Sequence, residues 1–153
     1  MKTRHLARSL AMQTLYSLDF AHRLYDEQNN PVFEQLLGTE VALAGITEEE
    51  ENQLEADIRY YSAFLIQGTI ENLERIDSLI SEYSKNRSLD RINMVDRNIL
   101  RISLFSLLFC ADVHPHIVID EAVKLSQEFS SDRNYKFVNG VLDSYVRKEI
   151  NDD

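Results

Sequence analysis

Apolar residues recur along this chain at helical spacing, and no stretch of six residues alternates strictly between apolar and polar side chains. The spacing predicts a first helix from about Thr3 to His22. A second helix is predicted from Pro31, which suits a first helical turn, to about Ala44, because Gly45 follows and ends it. The N-terminal part of the chain is therefore expected to be helical.

The middle of the chain continues the same pattern. Thr47 with Glu50 three residues later forms a capping box, in which each side chain satisfies a backbone N–H at a helix start. The helical period then continues to about Tyr83, with a break expected near Gly68. The acidic run Glu48 to Glu51 is expected to be a solvated helix start, and we have no functional account of it.

The C-terminal half contains a helix that is apolar on nearly every side. It spans about Met94 to Cys110, after a polar, irregular stretch from Ser84 to Asn93. A helix that is apolar all round needs neighbours on every side, so we expect it at the centre of the fold. Two amphipathic helices follow, ending near Phe129 and Tyr145. Residues 1–153 are thus predicted to form one all-α domain, a bundle of about six to seven helices.

The amino-acid composition narrows the class of protein to a globular domain without a membrane segment. A chain of 153 residues with 44% apolar residues can bury a core of its own. The single cysteine, Cys110, lies in an apolar run, which predicts a buried thiol and a reducing, cytoplasmic location. The longest apolar stretch, Ile99 to Ala111, is interrupted by Arg101 and is shorter than the roughly 20 residues of a membrane helix. No membrane segment is expected.

Motifs for catalysis or metal binding are weak. His114 and His116 are two residues apart, which does not place them on one helical face, and no cysteine or third histidine joins them. Asp120 and Glu121 are adjacent and point in different directions on a helix. No phosphate-binding loop or nucleophile elbow occurs. We expect no enzyme, no metal site and no cofactor.

The net charge of −10 argues against nucleic acid, because phosphate binding needs a positive field. The distribution of charge is more favourable than the sum. Residues 1–18 contain no acidic residue and carry Lys2, Arg4, His5 and Arg8. A local basic patch is therefore available for a contact.

The residue spacing in the first helix predicts two different faces. One is an apolar stripe, and the other holds His5, Ser9, Met12 and Tyr16 with Arg8 at its edge. Cations beside an exposed aromatic ring suit single-stranded nucleic acid, since the cations hold phosphates and the ring stacks on a base. The alternative is that Met12, Tyr16 and Phe20 pack against a second neighbour. The pattern alone favours this alternative.

A second candidate surface lies on the last helix. Phe137 flanks the predicted core face next to Lys136, where the ring is placed to stack on a base. The alternative is that Phe137 extends the core contact and Gly140 permits close helix packing. The pattern alone narrowly favours the alternative here as well.

Four segments of the chain match a known family pattern, in order: 4–16, 95–101, 119–125 and 136–143. The first has an Arg-rich start followed by A-x-Q-x-L-Y, and the last, KFVNGVLD, is the most specific. Together the segments span nearly the whole chain. In these four segments the chain resembles the NusB family of transcription antitermination factors.

The resemblance implies two packed three-helix subdomains. It also implies binding of boxA-type single-stranded ribosomal RNA as a heterodimer with the ribosomal protein NusE, in an antitermination complex with RNA polymerase. By position, Arg4, Arg8, Tyr16 and Phe137 would contact RNA, and Asp96 matches an acidic position near the junction of RNA and partner. The partner face would lie around the central helix.

Two departures from the family pattern bear on RNA affinity. His5 and Leu6 thin the basic run at the start, and the overall acidity also lowers the RNA affinity expected without a partner. Arg133 stands where an acid is common in relatives, which offsets part of this loss. The predicted result of Arg4→Ala with Arg8→Ala is weaker RNA binding with a flatter salt dependence.

Two alternatives to the RNA-binding function come from other classes of protein. One is a purely protein-binding helical adaptor whose acidic surface meets a basic ribosomal protein. The other is the helical domain that precedes the catalytic domain in some ribosomal RNA methyltransferases, for which a chain ending at Asp153 leaves no room. The sequence leaves the oligomeric state open, a homodimer included.

Overall fold

The computed structural model describes residues 2–25, 56–85, 87–131 and 133–150. Within these ranges every regular element is helical, which confirms the predicted all-α class. The predicted helix 31–44 and the capping box 47–50 lie outside the described residues. The chain divides into two compact units, unit 1 from Met1 to Glu71 and unit 2 from Asn72 to Asp153. The helices of the described residues include no candidate membrane span.

Unit 1 contains two described helices that pack together, α1 (Lys2–Phe20) and α2 (Ala56–Glu71). After α1, His22 adopts a φ of 57°, and the Arg23 N–H donates to the Leu18 carbonyl at 2.8 Å. A residue in the left-handed region commonly ends a helix in this way.

The predicted helix break near Gly68 is confirmed, and it lies four residues further on, at Asn72. α2 runs through Gly68 and ends at Glu71, and the next helix begins at Leu73. A glycine inside a helix costs only about 1 kcal/mol relative to alanine. The residues that follow it, Thr69 and Ile70, are fully buried, so packing offsets that cost.

Unit 2 is built around the apolar helix. Its elements are α3 (Leu73–Tyr83), a 3₁₀ turn (Leu89–Arg91), α4 (Met94–Phe109), α5 (Pro115–Phe129), α6 (Tyr135–Tyr145) and a π-helical turn (Val146–Ile150). α4 packs against α3, α5 and α6, and its residues from Asn98 to Ser106 are all buried. This confirms the predicted central helix. Cys110, directly after it, is 5% exposed, as expected.

Side-chain caps fix where two of these helices begin. The Asn93 Oδ1 accepts hydrogen bonds from the N–H groups of Val95 at 2.9 Å and Asp96 at 3.4 Å, at the start of α4. At the start of α5, the His114 Nδ1 accepts from the His116 N–H at 3.0 Å, and Pro115 occupies the first turn. These caps satisfy N–H groups that have no partner within the helix.

A buried ion pair joins α3 to α4 inside unit 2. The Arg101 Nε donates to Asp77 Oδ1 at 2.8 Å and its Nη2 to Oδ2 at 3.0 Å. The Arg101 Nη1 also donates to Asn98 Oδ1 at 3.0 Å. Arg101, which interrupts the apolar run of α4, is thus an internal partner for α3.

Candidate nucleic-acid interface

The basic residues of α1 lie around one aromatic ring of α2. The Arg4 guanidinium is 4.0 Å from the centre of the Tyr61 ring, and the Arg8 guanidinium is 5.7 Å from the same centre. Arg4 is exposed, whereas Arg8 is only 7% exposed. A cation over an aromatic face is stabilised by roughly 0.5–2 kcal/mol, depending on how far water is excluded. Tyr61, which no sequence motif indicated, therefore orients the cationic end of unit 1.

The predicted division of α1 into two faces is partly wrong. Met12 is 2% exposed and Ser9 is also buried, although both lie on the face opposite the predicted apolar stripe, whereas the apolar Leu6 is 43% exposed. The burial of Met12 agrees with the alternative in which it packs against a second neighbour. The buried face of α1 is thus rotated toward Arg8 and Met12. Arg8 can lie there because its aliphatic stem packs like an apolar side chain.

Tyr16 lies next to an exposed aromatic ring. Tyr16 is half-buried, and its ring stacks on Phe20 with centres 6.3 Å apart and planes 15° apart. Phe20 is 66% exposed, which rules out the alternative in which it packs into a core. The pair offers an apolar surface of the kind on which a base stacks. His5 is half-buried, and of Lys2 only its place in α1 is described.

The second set of predicted residues lies in unit 2, at the start of α6. Arg133 and Lys136 are exposed and Phe137 is half-buried. The alternative role for Gly140, close helix packing, is wrong, because a Cβ built on it meets nothing within 4 Å. Val138, Val141, Leu142 and Tyr145 form the buried face, as predicted.

The structure adds a cation that sequence reasoning missed. The Arg87 guanidinium lies 4.4 Å from the centre of the Phe137 ring. Arg87 falls in the polar stretch between α3 and α4, where periodicity gives no prediction. The available signal was charge, because the segment 85–91 carries three cations and one acid in a chain of net charge −10.

Asp96, the residue predicted near the junction of RNA and partner, is buried, with 1% exposure. Its oxygens accept hydrogen bonds from Ser126 Oγ at 2.9 Å and Ser130 Oγ at 3.1 Å, and the Asn134 Nδ2 donates to Ser130 Oγ at 2.9 Å. Burial raises the pKa of Asp96, and the hydrogen bonds oppose that shift. The carboxylate ties α4 to the α5–α6 connection, which carries Arg133.

Metal-binding groups are absent from the described ranges, where no set of three or more His, Cys, Asp or Glu side chains is placed to hold an ion. The fold and the side-chain contacts define the class as an all-helical protein in which exposed cations lie beside aromatic rings. Residues 5–147 match the sequence model of the NusB family. The chain belongs to the NusB family.

Relatives and solved structures agree with this assignment. The transcription antitermination protein NusB of Leptospira biflexa is 36% identical over 150 residues, which cover 98% of this chain and 96% of the relative. A structure of NusB from T. maritima is 32% identical with a TM-score of 0.68, covering 95% of this chain and 91% of the other. A crystal structure of NusB and NusE in complex with double-stranded RNA contains a chain that is 29% identical, with a TM-score of 0.70 and coverages of 97% and 98%.

Proposed function

We propose that this chain binds boxA-type single-stranded RNA as a heterodimer with NusE and promotes read-through by RNA polymerase. The observation that carries the proposal is the similarity, over 97% of the chain, to a chain in a crystal structure of NusB and NusE with double-stranded RNA. The side chains favour a single strand, since unpaired bases stack on aromatic rings while cations hold the phosphates.

Unit 1 supplies a contact region on α1. The exposed Arg4, with Lys2 near it in sequence, provides positive charge, and the Tyr61 ring restricts the position of the Arg4 guanidinium. His5 follows Arg4 in α1 and belongs to the same contact region. Farther along the helix, Tyr16 with its stacked neighbour provides the aromatic surface. Arg8 acts from a buried position and contributes to the field more than to direct phosphate contact.

Unit 2 supplies a separate contact region at the start of α6. Arg133 and Lys136 are exposed cations, and the half-buried Phe137 presents its ring. Asp96 has a positioning role, because its hydrogen bonds to Ser126 and Ser130 hold the connection in which Arg133 lies.

NusE compensates for the charge of this chain. At a net charge of −10 the summed field repels RNA, so unaided binding is weak and slow. A basic ribosomal protein docked on this acidic chain lowers that repulsion and adds its own phosphate contacts.

The test is fluorescence anisotropy of a labelled boxA-type RNA, with and without NusE, against a scrambled RNA. We expect sequence-dependent binding that NusE strengthens. Arg4→Ala should weaken it and flatten the log–log salt slope by about 0.7, the value for one phosphate contact on a single strand. Arg23→Ala, which removes an exposed arginine outside the cluster, is the matched control and should leave the slope unchanged. Arg4 is a cleaner probe than Arg8, because replacing the buried Arg8 also removes packing.

Two results would contradict the proposal. If NusE binds but the boxA RNA never binds better than the scrambled RNA, the chain is a protein-binding adaptor. If the two arginine variants behave alike while both stay folded by circular dichroism, the α1 contact region is wrong.

A further inference from the structure

Unit 2 contains a cleft that no sequence motif predicted. It lies between the α3–α4 connection and one side of α6, and its volume is about 630 Å³. Small-ligand sites commonly occupy roughly 300–1,000 Å³. Its lining includes Lys85, Arg87 and Arg91 on one side and Phe137 and Gly140 on the other.

The charge of this cleft is opposite to that of the chain. Three cations line it and no carboxylate does, although the chain as a whole carries a net charge of −10. All three cations are exposed, and across the described part of the chain none of them forms a salt bridge. Three unneutralised cations around one cavity favour an anionic ligand.

The turn after α3 fixes where these cations lie. Lys85 has a φ of 54°, a left-handed conformation that reverses the chain at the end of the helix. The buried Ser84 then donates its hydroxyl to the Arg87 carbonyl at 2.9 Å. Farther on, the Arg97 Nη1 donates to the Leu89 carbonyl at 3.1 Å and holds the 3₁₀ turn that ends at Arg91. Both sides of the cationic segment are thus anchored by hydrogen bonds.

The opposite side of the cleft provides flat and open surface. The Arg87 guanidinium lies over the Phe137 ring, 4.4 Å from its centre. Bases stack on aromatic rings and on guanidinium planes alike. Next to the ring, Gly140 leaves open space, since a Cβ there meets nothing within 4 Å. A planar group and an anion therefore find complementary surfaces in the same cavity.

We propose that this cleft binds one nucleotide of a single-stranded RNA. Lys85 and Arg91 hold its phosphate, and the Arg87–Phe137 pair stacks on its base. The assignment rests on the proposed RNA-binding function and extends it to three cations that lie outside the family-like segments. It also makes the cleft a contact region that does not depend on α1.

The experiment measures RNA affinity of the complex with NusE over a series of salt concentrations. Lys85→Ala and Arg91→Ala should each weaken binding several-fold at low salt and flatten the log–log salt slope by about 0.7. Phe137→Leu should weaken binding roughly tenfold and leave the slope unchanged, because it removes a stacking surface and no charge. Lys124→Ala, which removes an exposed lysine of α5 in the same unit, is the matched control and should change neither quantity.

The possible outcomes distinguish a failure of the cleft assignment from a failure of the proposed RNA-binding function. If the unsubstituted complex binds RNA normally and both Lys85→Ala and Arg91→Ala have the same affinity and salt slope as Lys124→Ala, the cleft assignment is overturned and the proposed function stands. If the unsubstituted complex does not distinguish boxA-type from scrambled RNA, the proposed function fails first. Competition by uridine monophosphate or by an acidic peptide as strong as that by unlabelled RNA would also overturn the assignment to an RNA strand.

Discussion

The buried pair of Asp77 and Arg101 allows a quantitative test of what holds α3 against α4. Its two side chains are 7% and 4% exposed, so solvent screens their interaction little. Asp77→Ala leaves the Arg101 guanidinium buried without this carboxylate. Breaking such a pair from one side typically costs about 3–5 kcal/mol, a large share of the roughly 5–15 kcal/mol that stabilises a domain.

Replacing both partners of the pair should not destabilise the protein, because the cost lies in a buried charge that is left without its partner. Asp77→Leu with Arg101→Met removes both charges and their desolvation cost together, and replaces them with apolar side chains. We expect a change between about zero and a few kcal/mol of stabilisation, so the two single losses should not add. The measurement is the free energy of unfolding in urea, followed by far-ultraviolet circular dichroism.

An exposed pair in the same unit provides the control. Arg147 Nε lies 3.0 Å from Asp143 Oδ2, but the side chains are 78% and 42% exposed. Asp143→Ala should therefore cost no more than about 0.5 kcal/mol. A loss in Asp77→Ala no larger than that of Asp143→Ala would refute the reasoning, and so would a double variant as unstable as the sum of the single ones.

Two further predictions concern single polar groups. Burial raises the pKa of Asp96 above its usual 3.8, so the carboxyl group of Asp96 binds a proton more tightly in the folded protein than in the unfolded chain. The stability that this protonation contributes is lost as pH rises through the folded-state pKa. Asp96→Asn should remove that dependence, seen in urea midpoints between about pH 4 and about pH 7.5; an unchanged pH profile would contradict the assignment. The Tyr61 hydroxyl is buried with no hydrogen-bond partner among the described residues. Tyr61→Phe should leave the melting temperature unchanged or raise it, since an unsatisfied buried hydroxyl costs about 1–3 kcal/mol, and a clear drop would show that the hydroxyl has a partner.

Helix positions could be read from the sequence where apolar spacing is regular. The predicted central helix from Met94 to Cys110 differs from the observed α4 (Met94–Phe109) by one residue. Apolar spacing and caps are local properties, so they can be predicted without knowledge of the neighbouring helices. The predicted break near Gly68 lies at Asn72 and not at the glycine itself, because packing around the residues that follow Gly68 outweighs a local cost of about 1 kcal/mol.

The candidate interface was only partly predictable. The cationic N-terminus and Phe137 follow from the family-like segments, but the burial of Arg8 depends on which side of α1 meets its neighbours. Tyr61 and Arg87 become relevant only through contacts with residues far along the chain, at 4.0 Å and 4.4 Å. Periodicity carries no information on such pairs.

Cys110 gives this molecule an internal reporter of its own dynamics. It is the single cysteine of the chain, it is buried, and it caps the C-terminal end of α4, where its N–H donates to the Ser106 carbonyl at 2.8 Å. A thiol reagent can reach it only when that end of the helix opens. The rate of modification therefore measures local opening of unit 2 without an introduced label, and comparison with global unfolding shows whether the end of α4 opens independently.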